Sequence, residues 1–327
     1  MMIATPLSFF LLFAVSGTVV NQTTGQPQAG ATVTLYKISN VGPEAMTSLK
    51  SGTDGKFEMP DTPQGGPHML QTAFAGITYN KMLPPGRPTT SLSVDVFNRS
   101  AQPGPARVAT HMILLEPNGM KLQINESVIW RNEGKTAFYD EKNGTMRFYL
   151  PPGAGGKVRV NCTAPQGMPI ERPAVKTPQD GIYTVDFPVK PGETRFDILY
   201  ETPMTGPGTF VAKVLHGGGP VRLVAPSGVT LESDKIKLLG TEPSSQAGIF
   251  ELQGAEANVG VSGIGSLRVP ESASGDQAEG GDEEGGEGLK QIRPRLYNRF
   301  EVLLGVLGLA FVSALVLLYR KSGTGHA

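Results

Sequence analysis

The residues whose types and spacing could do chemistry are few. His216-Gly217-Gly218-Gly219 is a string that can form an oxyanion hole. That chemistry also needs a nucleophile elbow of the form Gly-x-Ser-x-Gly, and no serine in the chain has glycines so placed. The string lies between two alternating runs, 209–215 and 221–225, where a glycine-rich hairpin turn is expected. The four histidines, His68, His111, His216 and His326, could serve zinc only if two or more converged. None is followed by Glu at the third position, and none pairs with another His at the spacing of one helical turn. His111 falls inside an alternating strand, which predicts a structural or surface residue. Cys162 is the single cysteine, so no intramolecular disulfide forms. It shares one face of "KVRVNC" with Val158 and Val160, which predicts a small core residue rather than an activated thiolate. Asp140-Glu141 sits beside Lys142, the usual pattern of a solvated loop, and the glycine-rich stretch 259–266 lacks the strand–turn–helix setting of a phosphate loop. No catalytic, cofactor-binding or metal-ligating residue is assigned, and no cofactor is expected.

Composition explains why sites are scarce. The chain has 327 residues, room for two or three domains, and it is rich in Gly (42) and Pro (27). Neither suits helix interiors; both suit turn-rich β-domains and linkers. Net charge is zero, yet residues 271–288 hold seven acids and no base (Glu271, Asp276, Glu279, Asp282, Glu283, Glu284 and Glu287). No basic cluster precedes Lys290, so no nucleic-acid partner is expected.

Both ends are apolar. Residues 7–15, "LSFFLLFAV", are too short to span a bilayer and suit the h-region of a secretory signal, although no Lys or Arg precedes them. A buried first strand is the alternative. Residues 302–318 carry no charge, and Ser313 is the one polar side chain among them. As a helix they span roughly 26 Å. Twelve of these 17 residues are Leu, Val or Phe; together they favour insertion by about 4–7 kcal/mol. Tyr297, Phe300 and Tyr319 stand where interfacial aromatics belong. A transmembrane helix is expected at 300–319, with the body outside and the tail 320–327 inside. The flanking bases Lys290, Arg293, Arg295 and Arg299 argue the other way by the positive-inside rule. A tail-anchored protein with a cytosolic body is therefore the topological alternative.

Between the ends, short alternating runs are separated by Gly/Pro turns. They include 31–36, 91–97, 107–116, 121–130, 145–150, 157–162, 182–187, 194–201, 209–215 and 221–225. In "ATVTLY", Ala31, Val33 and Leu35 face one way and Thr32, Thr34 and Tyr36 the other, a half-buried strand. Strands at this spacing imply sandwiches or barrels rather than a parallel α/β sheet. The proline-rich connector 83–90 predicts a domain boundary at residue 88. The expected division is a leader at 1–14, a first β-domain at 15–88, a second at 89–268, an acidic Gly-rich linker with a basic flank at 269–299, the helix at 300–319, and a short tail. The linker has too few apolar side chains to offset its ordering entropy, so disorder is expected there. The pattern leaves open whether 226–268 joins the second domain.

Gly17-Thr18-Val19, Gly25-x-Pro27-x-x-Gly30-Ala31-x-Val33, and Thr53-Asp54-Gly55 followed by Phe57 form a set of residues in turn-and-strand context. Together with "LQTAFAGITY" at 70–79, this set resembles the carboxypeptidase regulatory-like module. The resemblance covers residues 15–88 and implies a transthyretin-like β-sandwich with a carbohydrate-binding-like fold. It implies a bacterial envelope context and supplies no catalytic residue. Five Asn-x-Ser/Thr triplets, at Asn21, Asn98, Asn125, Asn143 and Asn161, are incidental in that context.

The fold expectation is thus mainly β: two sandwiches, an acidic linker and one C-terminal transmembrane helix. The expected role is a single-pass protein of the bacterial cell membrane, its ectodomain in the periplasm or outside the cell. The β-domains would bind a protein partner of an envelope complex without catalysis. Carbohydrate binding is the first alternative. It would want an exposed aromatic platform, and the lone Trp130 alternates with Val128 as a core residue would. A hydrolase with a site built from scattered residues is the second.

Overall fold

The computed structural model describes residues 15–60, 66–155 and 157–267, all within one compact unit, Met1–Pro270. The expected leader at 1–14, the linker at 269–299, the helix at 300–319 and the tail at 320–327 lie outside the described residues. Among the described residues no helix is long and apolar enough to cross a membrane. The chain is mainly β, in several sheets, with one short helical turn among the described residues, at Pro152–Ala154.

Two hydrophobic cores organise it. The first lies between two sheets. In one, strand Val15–Asn21 pairs antiparallel with Gln26–Pro27 and Lys56–Met59. In the other the order is Gly42–Lys50, Thr32–Ser39, His68–Phe74, Ile77–Leu83. Alternation decides which side chains meet: Val33, Leu35, Phe57, Met59 and Leu70 are buried, and the intervening residues face out. The turn before Phe57 needs Gly55, which sits at φ +73° with space for no Cβ; one would lie 2.7 Å from the Val19 carbonyl oxygen.

Strand Leu92–Val96 follows the proline-rich connector and lies beyond residue 88, yet it pairs in parallel with Val15–Asn21. Val94 and Val96 complete the first core. So do Ala137 and Tyr139, from far downstream. The short strand Ala137–Phe138 runs beside Arg99–Ser100 and alternates between the two cores, Phe138 packing on Trp130 in the second. The junction is polar at its edges. Lys190 Nζ lies 4.7 Å from the Tyr79 ring centre and donates to the Thr78 carbonyl, and Thr23 Oγ1 donates to the Lys135 carbonyl.

The second core is built on an eight-stranded sheet. Its order is Ile170–Arg172, Val158–Thr163, Gly192–Pro203, Lys121–Asn132, Ala106–Pro117, Val221–Ala225, Gly248–Leu252, Ile236–Thr241. All neighbours are antiparallel except Ala106–Pro117 with Val221–Ala225. Two three-stranded sheets share this core. One is Met146–Tyr149, Ile182–Val185 and Ala174–Lys176; the other is Gly208–Lys213, Glu256–Gly263 and Val229–Glu232. Residues 226–263 therefore belong to the second core.

Candidate functional site

The centre of the eight-stranded sheet turns polar groups inward. On Lys121–Asn132 the inward residues are Leu122, Ile124, Glu126, Val128 and Trp130. A carboxylate thus stands in an apolar row. On Gly192–Pro203 the inward row is Thr194, Phe196, Ile198 and Tyr200. On Ala106–Pro117 a bulge between Val108 and Thr110 shifts the alternation by one. His111, Ile113 and Leu115 then face inward after Val108, and Met112 faces out.

These three strands are neighbours, so their polar groups meet. His111 Nε2 lies 3.0 Å from Oε2 of Glu126, and Tyr200 OH donates to Oε1 at 2.6 Å. Both carboxylate oxygens are engaged, as burial demands. Burial first, and the neighbouring Glu126 charge second, hold the Tyr200 phenol well above its ordinary value.

Beside this trio lies a cavity of about 10 Å³, lined among others by His111, Glu126, Met146, Arg147, Lys213 and His216. That is room for about one water molecule. His216 Nε2 faces the Arg147 backbone, accepting from the N–H at 2.8 Å. The ring sits edge-on to Trp130 at 5.2 Å. Burial pushes the imidazole down to about 4, so it is neutral near pH 7. The Trp130 Nε1 and Arg147 Nε groups are buried with no hydrogen-bond partner among the described residues.

The other expectations resolve around this site. His216 and its three glycines do not form a hairpin turn. Gly208–Lys213 and Val221–Ala225 lie in different sheets, so the string crosses from one to the other. Its glycines answer a close backbone approach: the Gly219 N–H donates to the Val108 carbonyl at 2.7 Å, and a Cβ at Gly219 would lie 1.9 Å from the Ala109 carbonyl oxygen. That amide is thus committed to the fold. Cys162 is fully buried, and burial raises its thiol to about 12, where it holds no thiolate near neutrality. Asp140 accepts from the Lys142 and Asn143 amides in a loop, and Glu141 pairs with Arg99 at 2.9 Å. His68 is a buried strand residue of the first core, and His326 lies outside the described residues.

No serine, threonine or cysteine lines the cavity beside the cluster. Among the described residues no three His, Cys, Asp or Glu converge in a way that could hold a metal ion. Neither Glu126 nor Tyr200 belongs to a recognisable sequence motif. A signal was present: Glu126 occupies the apolar parity of "KLQINESVIW", and Tyr200 that of "TRFDILYE".

Two features mark the outside. Strand Ile236–Thr241 closes the large sheet with its outer edge unpaired among the described residues, and Leu238 and Leu239 are 57% and 49% exposed. A shallow groove of about 820 Å³ runs past Met120, Lys121, Lys157, Arg159, Glu171 and Glu201.

The sequence matches no known protein family and no curated protein. Among solved structures it is similar to an M1 zinc metallopeptidase from Deinococcus radiodurans, at 13% identity and a TM-score of 0.26. A mutant of that enzyme bound to a Tyr-Ser-Ala substrate gives 15% and 0.27. In each case 48% of this chain aligns, and the chain spans 42% of the length of the structure it matches.

Proposed function

We propose that this chain is a non-catalytic, single-pass envelope protein. Its β-domains, the first a transthyretin-like sandwich of the carboxypeptidase regulatory-like kind and the second a larger sandwich, bind a protein partner outside the membrane. Two cores, each enclosed between sheets, support the sandwich reading. One observation carries the choice of partner. Among the described residues every aromatic ring is buried or half-buried, Trp130 included, whereas the exposed apolar side chains are aliphatic or thioether groups. Sugar recognition uses exposed ring faces, while Met, Leu and Ile on an open strand edge suit protein contact. The edge Ile236–Thr241, with Leu238 and Leu239 exposed, is the place for it: an open edge adds a partner strand through main-chain hydrogen bonds.

The test is a photo-crosslinking residue placed at Leu238 or Leu239 of the full-length protein in intact cells, with Lys56 as an exposed control. A discrete protein adduct from the edge positions and none from Lys56 is expected. No edge adduct, together with saturable binding of the full-length protein to one glycan class, overturns the reading in favour of carbohydrate. Substrate turnover by the purified protein overturns it in favour of an enzyme.

A further inference from the structure

The long strand Lys121–Asn132 gives the second domain two unlike ends. At its Asn132 end lies the junction with the first core: Asn132 Nδ2 donates to the Thr136 and Val189 carbonyls, and Lys135 and Lys190 reach the first domain. Eleven residues away, roughly 37 Å along the strand, is the Lys121 end.

Five segments gather at the Lys121 end. Met204 N–H donates to the Met120 carbonyl at 3.1 Å, and Gly265 N–H donates to the Pro117 carbonyl at 3.1 Å. Ile264 packs where a Cβ on Gly119 would touch it at 3.4 Å, and the 226–228 turn lies against 263–265. Gly153 sits against Thr202, beside the groove that Met120 lines. The tips are 118–120 (NGM), 151–155 (PPGAG), 204–207 (MTGP), 226–228 (PSG) and 264–267 (IGSL). None of them contains an acid or a base. Met120 is 78% exposed, Ile264 63% and Leu267 38%. Lys121 and Lys157 stand at the rim beside Glu171 and Glu201, the latter paired with Lys121, and Glu116 is buried and accepts from Leu267 N–H and Ser266 Oγ. Uncharged tips carrying exposed Met, Ile and Leu side chains above a charged rim match the depth profile of a lipid interface, with apolar groups at the acyl boundary.

The place of the last described residue in this body selects the occupant. Leu267 belongs to the apolar end, and 34 residues separate it in sequence from the uncharged run at 302–318. We infer that the uncharged end carrying Met120, Ile264 and Leu267 docks on the surface of a lipid bilayer, with the first domain and its Lys190 junction pointing away from it. This rests on the reading of 300–319 as a membrane segment. It goes beyond that reading, because a membrane segment 34 residues further along the sequence does not by itself bring this end onto lipid. Docking fixes the height at which the Leu238 edge meets a partner.

The test uses the full-length protein in phosphatidylcholine/phosphatidylglycerol vesicles. An environment-sensitive fluorophore is attached at M120C, I264C, V41C or V306C, one site at a time. The wild-type chain is the labelling blank, since its buried Cys162 thiol does not react. Val306 and the two end positions are expected to be quenched by lipid-borne quenchers and to lose quenching by aqueous iodide. Val41, fully exposed in the first domain, is expected to respond to iodide alone. If Val306 is lipid-quenched while Met120 and Ile264 behave like Val41, the docking inference falls and the membrane anchor stands. If Val306 itself responds to iodide, the anchor reading falls and takes the inference with it. Shielding of Met120 from both quenchers means a protein covers this end, which also overturns it.

Discussion

Nε2 of His111 and Oε2 of Glu126 lie 3.0 Å apart on adjacent strands, both facing the apolar core of the larger domain. With Tyr200 on the second carboxylate oxygen, the group is satisfied only as a set. Removing one member strands the others in a medium that solvates them poorly.

Glu126→Ala is therefore expected to lower stability by about 3–5 kcal/mol, read as a shift in urea midpoint followed by Trp130 fluorescence. The triple change His111→Phe, Glu126→Leu, Tyr200→Phe removes all three polar partners together and is expected to lose less than the single one. A single variant within about 1 kcal/mol of wild type would mean that the trio is not coupled as its geometry implies.

Acid stability follows from His216. Burial, with His111 and Arg147 nearby, sets its folded value at about 4, below the unfolded value near 6.5. Between those values the unfolded chain binds the proton and the folded one does not. This contribution is thus greatest above pH 6.5, falls as pH drops toward 4, and levels off below it. The loss is on the order of 3 kcal/mol across that window. His216→Gln should flatten this part of the stability–pH profile. An unchanged slope in the variant would place the pH dependence elsewhere.

Tyr139 joins the two cores. Its ring is buried in the first, Arg99 lies over its face at 4.8 Å, and its hydroxyl donates to Asp186 in the region of the second. Tyr139→Ala should cost about 3–5 kcal/mol. It should also split one calorimetric transition into two, because Tyr139 couples the domains together with Ala137, Lys190 and the Thr23–Lys135 hydrogen bond. Tyr139→Phe keeps the packing and loses the Asp186 bond, so a smaller loss within a single transition is expected.

Gly219→Ala places a methyl group 1.9 Å from the Ala109 carbonyl oxygen. The backbone on both sides must move, and a loss of at least about 2 kcal/mol or failure to accumulate folded protein is expected. Gly217→Ala, where a Cβ meets nothing within 4 Å, should be nearly neutral. Equal tolerance at the two positions would show that the close approach at Gly219 does not constrain the fold.

The amino-acid sequence by itself determined the local pattern. Period-two alternation placed Val33, Leu35, Phe57, Trp130 and Cys162 inside, and Asp54-Gly55 marked its turn, because strand parity and turn dihedrals depend on residues only a few positions apart. Tertiary structure alone decided which strand lies beside which. Leu92–Val96 crosses the proline-rich connector to join Val15–Asn21, Ala137 and Tyr139 close a core that began 120 residues earlier, and a bulge after Val108 turns His111 toward Glu126. Every strand offers the same backbone hydrogen bonds, so pairing is selected by how whole side-chain faces pack, a property of the assembled sheets rather than of any one segment.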